Sequence, residues 1–196
     1  MLLLLGFSPK VPVSLYVYEE HWGATIPIAK VEGNEGVVLK TEGSITHYCE
    51  VEVPDSILDP ERWKALRDSY RFFQGTDLPT YHFVYRAGDF EKHVITYGPP
   101  NISPFLGSVF STLTQAECRR EVVPKRIVLS WEEVFVKRRA APMGEYERLL
   151  GKREVKGEDL KLAYSMLKRF GHDFFTGVIL MDSKGRTWLV KGEVSL

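Results

Sequence analysis

Through the first half of the chain, apolar and polar residues alternate in short runs. Segments 12–18, 25–31, 36–40 and 45–53 are rich in Val, Ile, Thr and Tyr, and Gly-containing acidic turns such as Glu32-Gly33-Asn34-Glu35-Gly36 separate them. Runs of this kind predict β-strands. Within 45–53, Ile45, His47, Cys49, Val51 and Val53 face one way and Thr46, Tyr48, Glu50 and Glu52 the other. That period of two marks a half-buried antiparallel strand.

The pattern then changes. Asp59 can cap a helix, Pro60 suits its first turn and Gly75 can close it, with Trp63, Leu66, Tyr70 and Phe73 on one face. Residues 81–86 and 92–97 read as a strand pair turning at Ala87-Gly88-Asp89, and 98–108, with three prolines, as a loop and the seam between lobes. A strand is expected over 123–129. Ser130-Trp131-Glu132-Glu133 has the form of a capping box that starts a helix through Ala140, while Val134-Phe135-Val136 supports a competing strand. The apolar stripe Leu160, Ala163, Tyr164, Leu167 and Phe170 predicts a helix over 158–170, stopped by Gly171. Strands over 173–181 and 186–196 flank the turn 182–185. The expected fold is α+β: a largely antiparallel sheet with a few packed helices and a C-terminal helix plus β-hairpin. It forms one globular unit of 196 residues, divisible into a strand-rich lobe over 1–100 and a helix-bearing lobe over 108–196.

Charge sharpens that division. Net charge is zero overall, yet residues 1–118 hold nine Lys or Arg against fifteen Asp or Glu, and 119–170 hold fourteen against eight. Such asymmetry marks either a nucleic-acid surface or two regions that attract each other across an internal or oligomeric contact. The cations concerned are Arg119, Arg120, Lys125, Arg126, Lys137, Arg138 and Arg139. An RNA binder should spread them over one face, whereas an assembly protein pairs or buries them. Only two Asn and two Gln occur in the chain, a composition like that of thermophile proteins. Met1 to Phe7 is too short and lacks the basic flank of a targeting segment, so a first strand and a cytoplasmic, membrane-free protein are expected. Cys49 and Cys118 form no motif. Reduced thiols are the default for such a protein, with a disulfide as the alternative.

Several chemistries lack their motifs. There is no phosphate-binding glycine loop and no serine nucleophile elbow. The five histidines do not occur at metal-ligand spacing. His47-Tyr48-Cys49 places a nitrogen and a sulfur on one strand face with no further ligand near in sequence, so neither metal nor cofactor is expected.

Two family resemblances remain. Tyr164, Leu167, Lys168, Gly171-His172 and Thr176-Gly177 resemble the helix-to-strand motif of the tRNA-splicing endonucleases. In that family the catalytic half follows this motif, whereas here only nineteen residues follow Gly177. The family's metal-free chemistry uses Tyr as base, His as acid and Lys to steady charge, in that chain order. Tyr85, His93 and Lys125 have a comparable order and gap, and such a trio is competent for phosphodiester cleavage. The C-terminal forty residues also resemble the end of an ATP-grasp domain, through Phe170-Gly171-His172-Asp173, Gly177-Val178 and Asp182 to Arg186. That family's two acidic magnesium ligands fall on Ile179 and Lys191, which implies an inactive relative. The leading expectation is a nucleic-acid-associated protein, an RNA-processing nuclease-like subunit with RNA as partner. The rival is a non-enzymatic assembly or adaptor protein with a homotypic or heterotypic interface. The third is the degenerate ATP-grasp domain.

Overall fold

The computed structural model describes residues 11–136 and 138–196, so the strand expected at the N-terminus and Lys137 lie outside the described residues. The chain opens as a meander. Strands β1 (Val13–His21), β2 (Ala24–Glu32), β3 (Glu35–Glu42) and β4 (Ile45–Glu52) pair antiparallel in succession through two-residue turns. The alternation read in the sequence is what buries Leu15, Val17, Val31, Val38, Cys49 and Val51 on one face.

The helix expected after Asp59 is real but short. The Asp59 carboxylate accepts the Glu61 N–H at 3.0 Å, and α1 (Pro60–Lys64) buries Trp63, which stacks on Tyr85 at 4.8 Å and donates to the Ile57 carbonyl at 2.9 Å. Beyond it the backbone becomes β5 (Ser69–Arg71), because the open edge of a neighbouring strand captures it. The Ile95 and Phe72 N–H groups donate to the Asp68 and Tyr97 carbonyls at 2.9 Å each. Tyr70 and Phe73 therefore continue no helical stripe, and Phe73 is 87% exposed.

Strands β6 (Thr80–Ala87) and β7 (Phe90–Tyr97) form the expected hairpin, and β6 returns to the free edge of β1. The proline-rich segment read as a loop instead starts α2 (Pro104–Gln115). Ser103 caps it by accepting the Leu106 N–H, and Pro104 occupies the first turn, where no amide partner is needed. After α2, β8 (Arg120–Glu121) adds to β4, giving the order β5-β7-β6-β1-β2-β3-β4-β8. Its two edge strands are very short, which limits edge pairing with other chains.

A second sheet follows. β9 (Arg126–Val134) absorbs the segment whose Ser130 to Glu133 pattern resembled a capping box; its nine-residue pairing with β13 (Thr187–Ser195) overrides that local signal. β10 (Ala141–Pro142), β11 (Glu154–Val155) and β12 (Val178–Met181) complete the order β10-β12-β13-β9-β11. Helix α3 (Glu158–Phe170) has the expected bounds. The next segment differs: α4 (His172–Thr176) comes first, and the strand begins only at Val178. The terminal hairpin pairs Val178 with Val190 through Met181 with Thr187. The Asp182 carboxylate organises its turn, accepting the Lys184 and Arg186 N–H groups at 3.0 and 2.9 Å. The whole is an α+β fold.

One apolar cluster runs through both sheets. α3 docks on β4, where the Tyr48 N–H donates to the buried Tyr164 hydroxyl at 3.0 Å and the Tyr48 hydroxyl donates to the Pro27 carbonyl at 2.9 Å. The cysteines are joined, correcting the expectation of free thiols. Cys118 lies just past α2, and the β4–β8 pairing lays it beside Cys49 across a separation of 69 residues. A link of that span contributes about 4 kcal/mol by loop closure.

Packing of α4 on β13 is tight enough to test. A Cβ on Gly192 would stand 1.9 Å from the ring of fully buried Phe174. Gly192→Ala should cost at least about 1–3 kcal/mol, seen as a lower urea midpoint at constant slope. Combined with Phe174→Leu, it should cost less than the sum of the two single changes. An unchanged midpoint would refute this packing.

Candidate metal centre

Tyr85, His93 and Lys125 are placed by the pleat and do not share a site. Tyr85 pairs with Lys92, and His93 with Val84, so Tyr85 and His93 point to opposite faces of the same hairpin. The Tyr85 hydroxyl is buried and donates to the Leu58 carbonyl at 2.7 Å. Lys125 lies before β9, where its N–H donates to the Ser195 carbonyl at 3.1 Å, beside a recess lined by Lys30, Glu35 and Glu50. Among the other cations, Arg119 pairs with Glu52, Arg120 with Glu50 at 2.6 Å and Arg126 with Glu154 at 3.4 Å. Arg138 and Arg139 occupy a turn beyond β9.

A different arrangement stands at the end of β1, where four of the five histidines gather around consecutive carboxylates. β1 runs on past Tyr18, so Glu19 and Glu20 point to opposite faces. On the outer face Glu20 meets His82 at 3.1 Å, and His82 meets His93 at 3.0 Å and stacks on Tyr18. Burial, then the neighbouring His82, hold the His93 imidazolium below its ordinary range. This chain of a carboxylate and two rings fixes both imidazoles, but His82 meets each partner with a different ring nitrogen, so the three groups do not converge on one point.

The inner face carries a second cluster. Glu19 lies 3.8 Å from His21 Nδ1 and 3.6 Å from His172 Nε2, and the two ring nitrogens lie 3.3 Å apart. Three features of the fold bring them together. Glu19 and His21 alternate on one strand and so share a side. A bulge between Val17 and Tyr18 shifts the β1–β2 register just before Glu19. His172 opens α4 directly after Gly171, whose φ of 53° suits glycine and whose added Cβ would stand 2.8 Å from Thr46 Oγ1.

The sheet also opens here. β2 and β3 pair only as far as Ala29 with Val38, and then part. In the wedge lies a cavity of about 340 Å³, lined by Glu19, Lys40, Thr46, Phe110, His172 and Phe175. A second recess of about 470 Å³ adjoins His21 and Trp22. Trp22 is 70% exposed and has a φ of 51° in the β1–β2 turn, a strained state for a bulky residue. Glu19 itself is nearly buried and sits opposite Tyr81 across the β1–β6 pair; burial first, then the charge of Glu19, push the Tyr81 hydroxyl well above its ordinary range. His172 remains about half exposed.

Comparison with protein-family models, curated proteins and solved structures gives no match. The assignment of the site therefore rests on its geometry. Spacing could not reveal it, because His172 is 151 residues from His21. One signal was present: the alternation Leu15, Val17, Glu19, His21 carries the strand past Tyr18 and sets both ligands on its inner side.

The backbone, not the imidazole, should hold this turn. Gly171→Ala is expected to cost about 1–3 kcal/mol, whereas His172→Ala should cost under about 0.5 kcal/mol, as for an exposed residue. Equal midpoints in urea for the two variants would show that α4 is not held against Thr46.

Proposed function

We propose that Glu19, His21 and His172 hold a first-row divalent metal, zinc by ligand type, as an open centre for hydrolytic chemistry. One observation carries this reading: the ligand-atom separations of 3.3, 3.6 and 3.8 Å. Nitrogen and oxygen ligands bonded to zinc at about 2.0–2.1 Å stand roughly 3.3 Å apart at tetrahedral angles. Two imidazoles favour zinc over magnesium or calcium, which take oxygen ligands. Tyr81, the cross-strand neighbour of Glu19, is placed to serve as an outer partner of the carboxylate, as such groups do for metal ligands. Two His and one Glu leave a fourth position for water, whose pKa zinc lowers to about 7. Half-exposed His172 marks the side from which that position is reached.

Association with RNA is a second reading, supported by Trp22. Its exposed face beside His21 is of the kind on which unpaired bases stack. The pairing of Arg119, Arg120 and Arg126 with carboxylates leaves less positive surface for phosphates than the charge count suggested, and it favours a structural use of those cations. Among the described residues no helix is long and apolar enough to cross a membrane.

Calorimetric titration of chelator-stripped, oxidised protein with zinc tests the metal reading. One equivalent should bind, and His172→Ala and Glu19→Gln should each weaken it by at least about a hundredfold, beyond the effect of losing an outer partner. His93→Ala, on the opposite face, should leave binding unchanged. Equal affinity in all three variants would mean that the three groups are only a hydrogen-bonded cluster. For RNA, Trp22→Ala should reduce oligonucleotide binding while zinc binding persists; unchanged binding would remove that reading.

A further inference from the structure

His47 and Cys49 share one face of β4, and the short β8 pairing brings Cys118 to them. The His47 ring nitrogen and both sulfurs lie within 4.8 Å of one another. The Cys49 and Cys118 Cα atoms are 5.3 Å apart. We infer that reduction of the Cys49–Cys118 disulfide converts this cluster into a second, thiolate-containing zinc site, with His47 as its third ligand.

The chemistry balances with a dithiol reductant. A reductant thiolate attacks one sulfur of the bridge, and its second thiolate resolves the mixed disulfide. The protein gains two electrons and two protons, and the reductant leaves as its own disulfide. Zinc then displaces the two thiol protons, forming two Zn–S bonds and one Zn–N bond to His47. Sulfurs bonded to zinc at about 2.3 Å stand roughly 3.7 Å apart, so the reduced pair must open to admit the metal. Cys49 is fully buried on a paired strand, whereas Cys118 is partly exposed in the connection after α2. Cys118 is therefore the ligand that swings.

The consequence is structural as well as chemical. The connection between α2 and β8 is tied to β4 in either redox state, by a sulfur–sulfur bond when oxidised and by metal when reduced. Imidazole plus two thiolates is a softer donor set than Glu19 with two histidines, so the two centres differ in the metal spectra they give.

Cobalt reports thiolate ligation through a sulfur-to-cobalt charge-transfer band in the near ultraviolet, which Glu19, His21 and His172 cannot produce. Full-length protein is reduced, freed of reductant without oxygen and titrated with cobalt, beside the oxidised protein. The band should appear only after reduction, persist in His172→Ala, and disappear when zinc is added in excess. His47→Ala, which keeps both thiols, should weaken cobalt binding at least tenfold; Cys118→Ser, which leaves one thiolate, should lower the band by at least about half, and the double change of Cys49 and Cys118 to Ser should abolish it. A reduced protein with two titratable thiols and no band would overturn the site, as would an affinity unaffected by His47→Ala. Neither result depends on whether Glu19, His21 and His172 bind metal.

Discussion

The close approach of Gly171 to Thr46 fixes how α3 and α4 meet the first sheet, and the candidate centre depends on that meeting. α3 arrives along β4, where the Tyr48 N–H reaches the Tyr164 hydroxyl. The chain must then turn within one residue to set α4 under the splayed ends of β2 and β3. A side chain at Gly171 would collide with Thr46, itself buried and hydrogen-bonded to Thr41 at 3.1 Å. Phe174 and Phe175, both buried, anchor the far side of the turn against β13 and the wedge cavity. His172 is thus delivered to Glu19 by backbone constraint and apolar packing, which cost the imidazole nothing in conformational freedom beyond its own rotamer.

Much of this fold was legible in the sequence because its strongest signals are local. The period of two in β4, the stripe of α3 and the Asp182 to Gly185 turn each depend on neighbours within a few residues. The failures occur where a distant partner decides. Residues 69–71 follow a helical stripe but are taken by the edge of β7, and Ser130 to Glu133 follow a capping pattern but pair with β13. The prolines at 99, 100 and 104 looked like breakers, although Pro104 is a helix-starting residue once Ser103 is recognised as its cap.

The candidate centre was less legible for the same reason, carried further. Its ligands come from β1 and α4, far apart in the chain and brought together where α3 and α4 dock on the first sheet. The trio of Tyr85, His93 and Lys125 was chosen by chain order, which says nothing about faces; one residue of offset across the β6–β7 hairpin sends Tyr85 inward and His93 outward. His47 and Cys49 were visible as a pair, yet their third member lay 69 residues beyond Cys49.

The charge asymmetry belongs to this account too. Glu50 and Glu52 of β4 take Arg120 and Arg119, and Glu121 takes Lys168 of α3 at 2.8 Å, so opposite signs meet along one line of contact. These groups are largely solvent-exposed, and pairs of that kind contribute little to stability. Their role is directional. The disulfide restrains where Cys118 can lie, and the adjacent arginines fix which way the strand beyond it runs, so that Glu121 comes to face Lys168 and Tyr164. Apolar burial supplies the energy for docking the second sheet; the two arginine pairs lie within the first sheet, and of the pairs named here it is Glu121 with Lys168 that joins that sheet to α3.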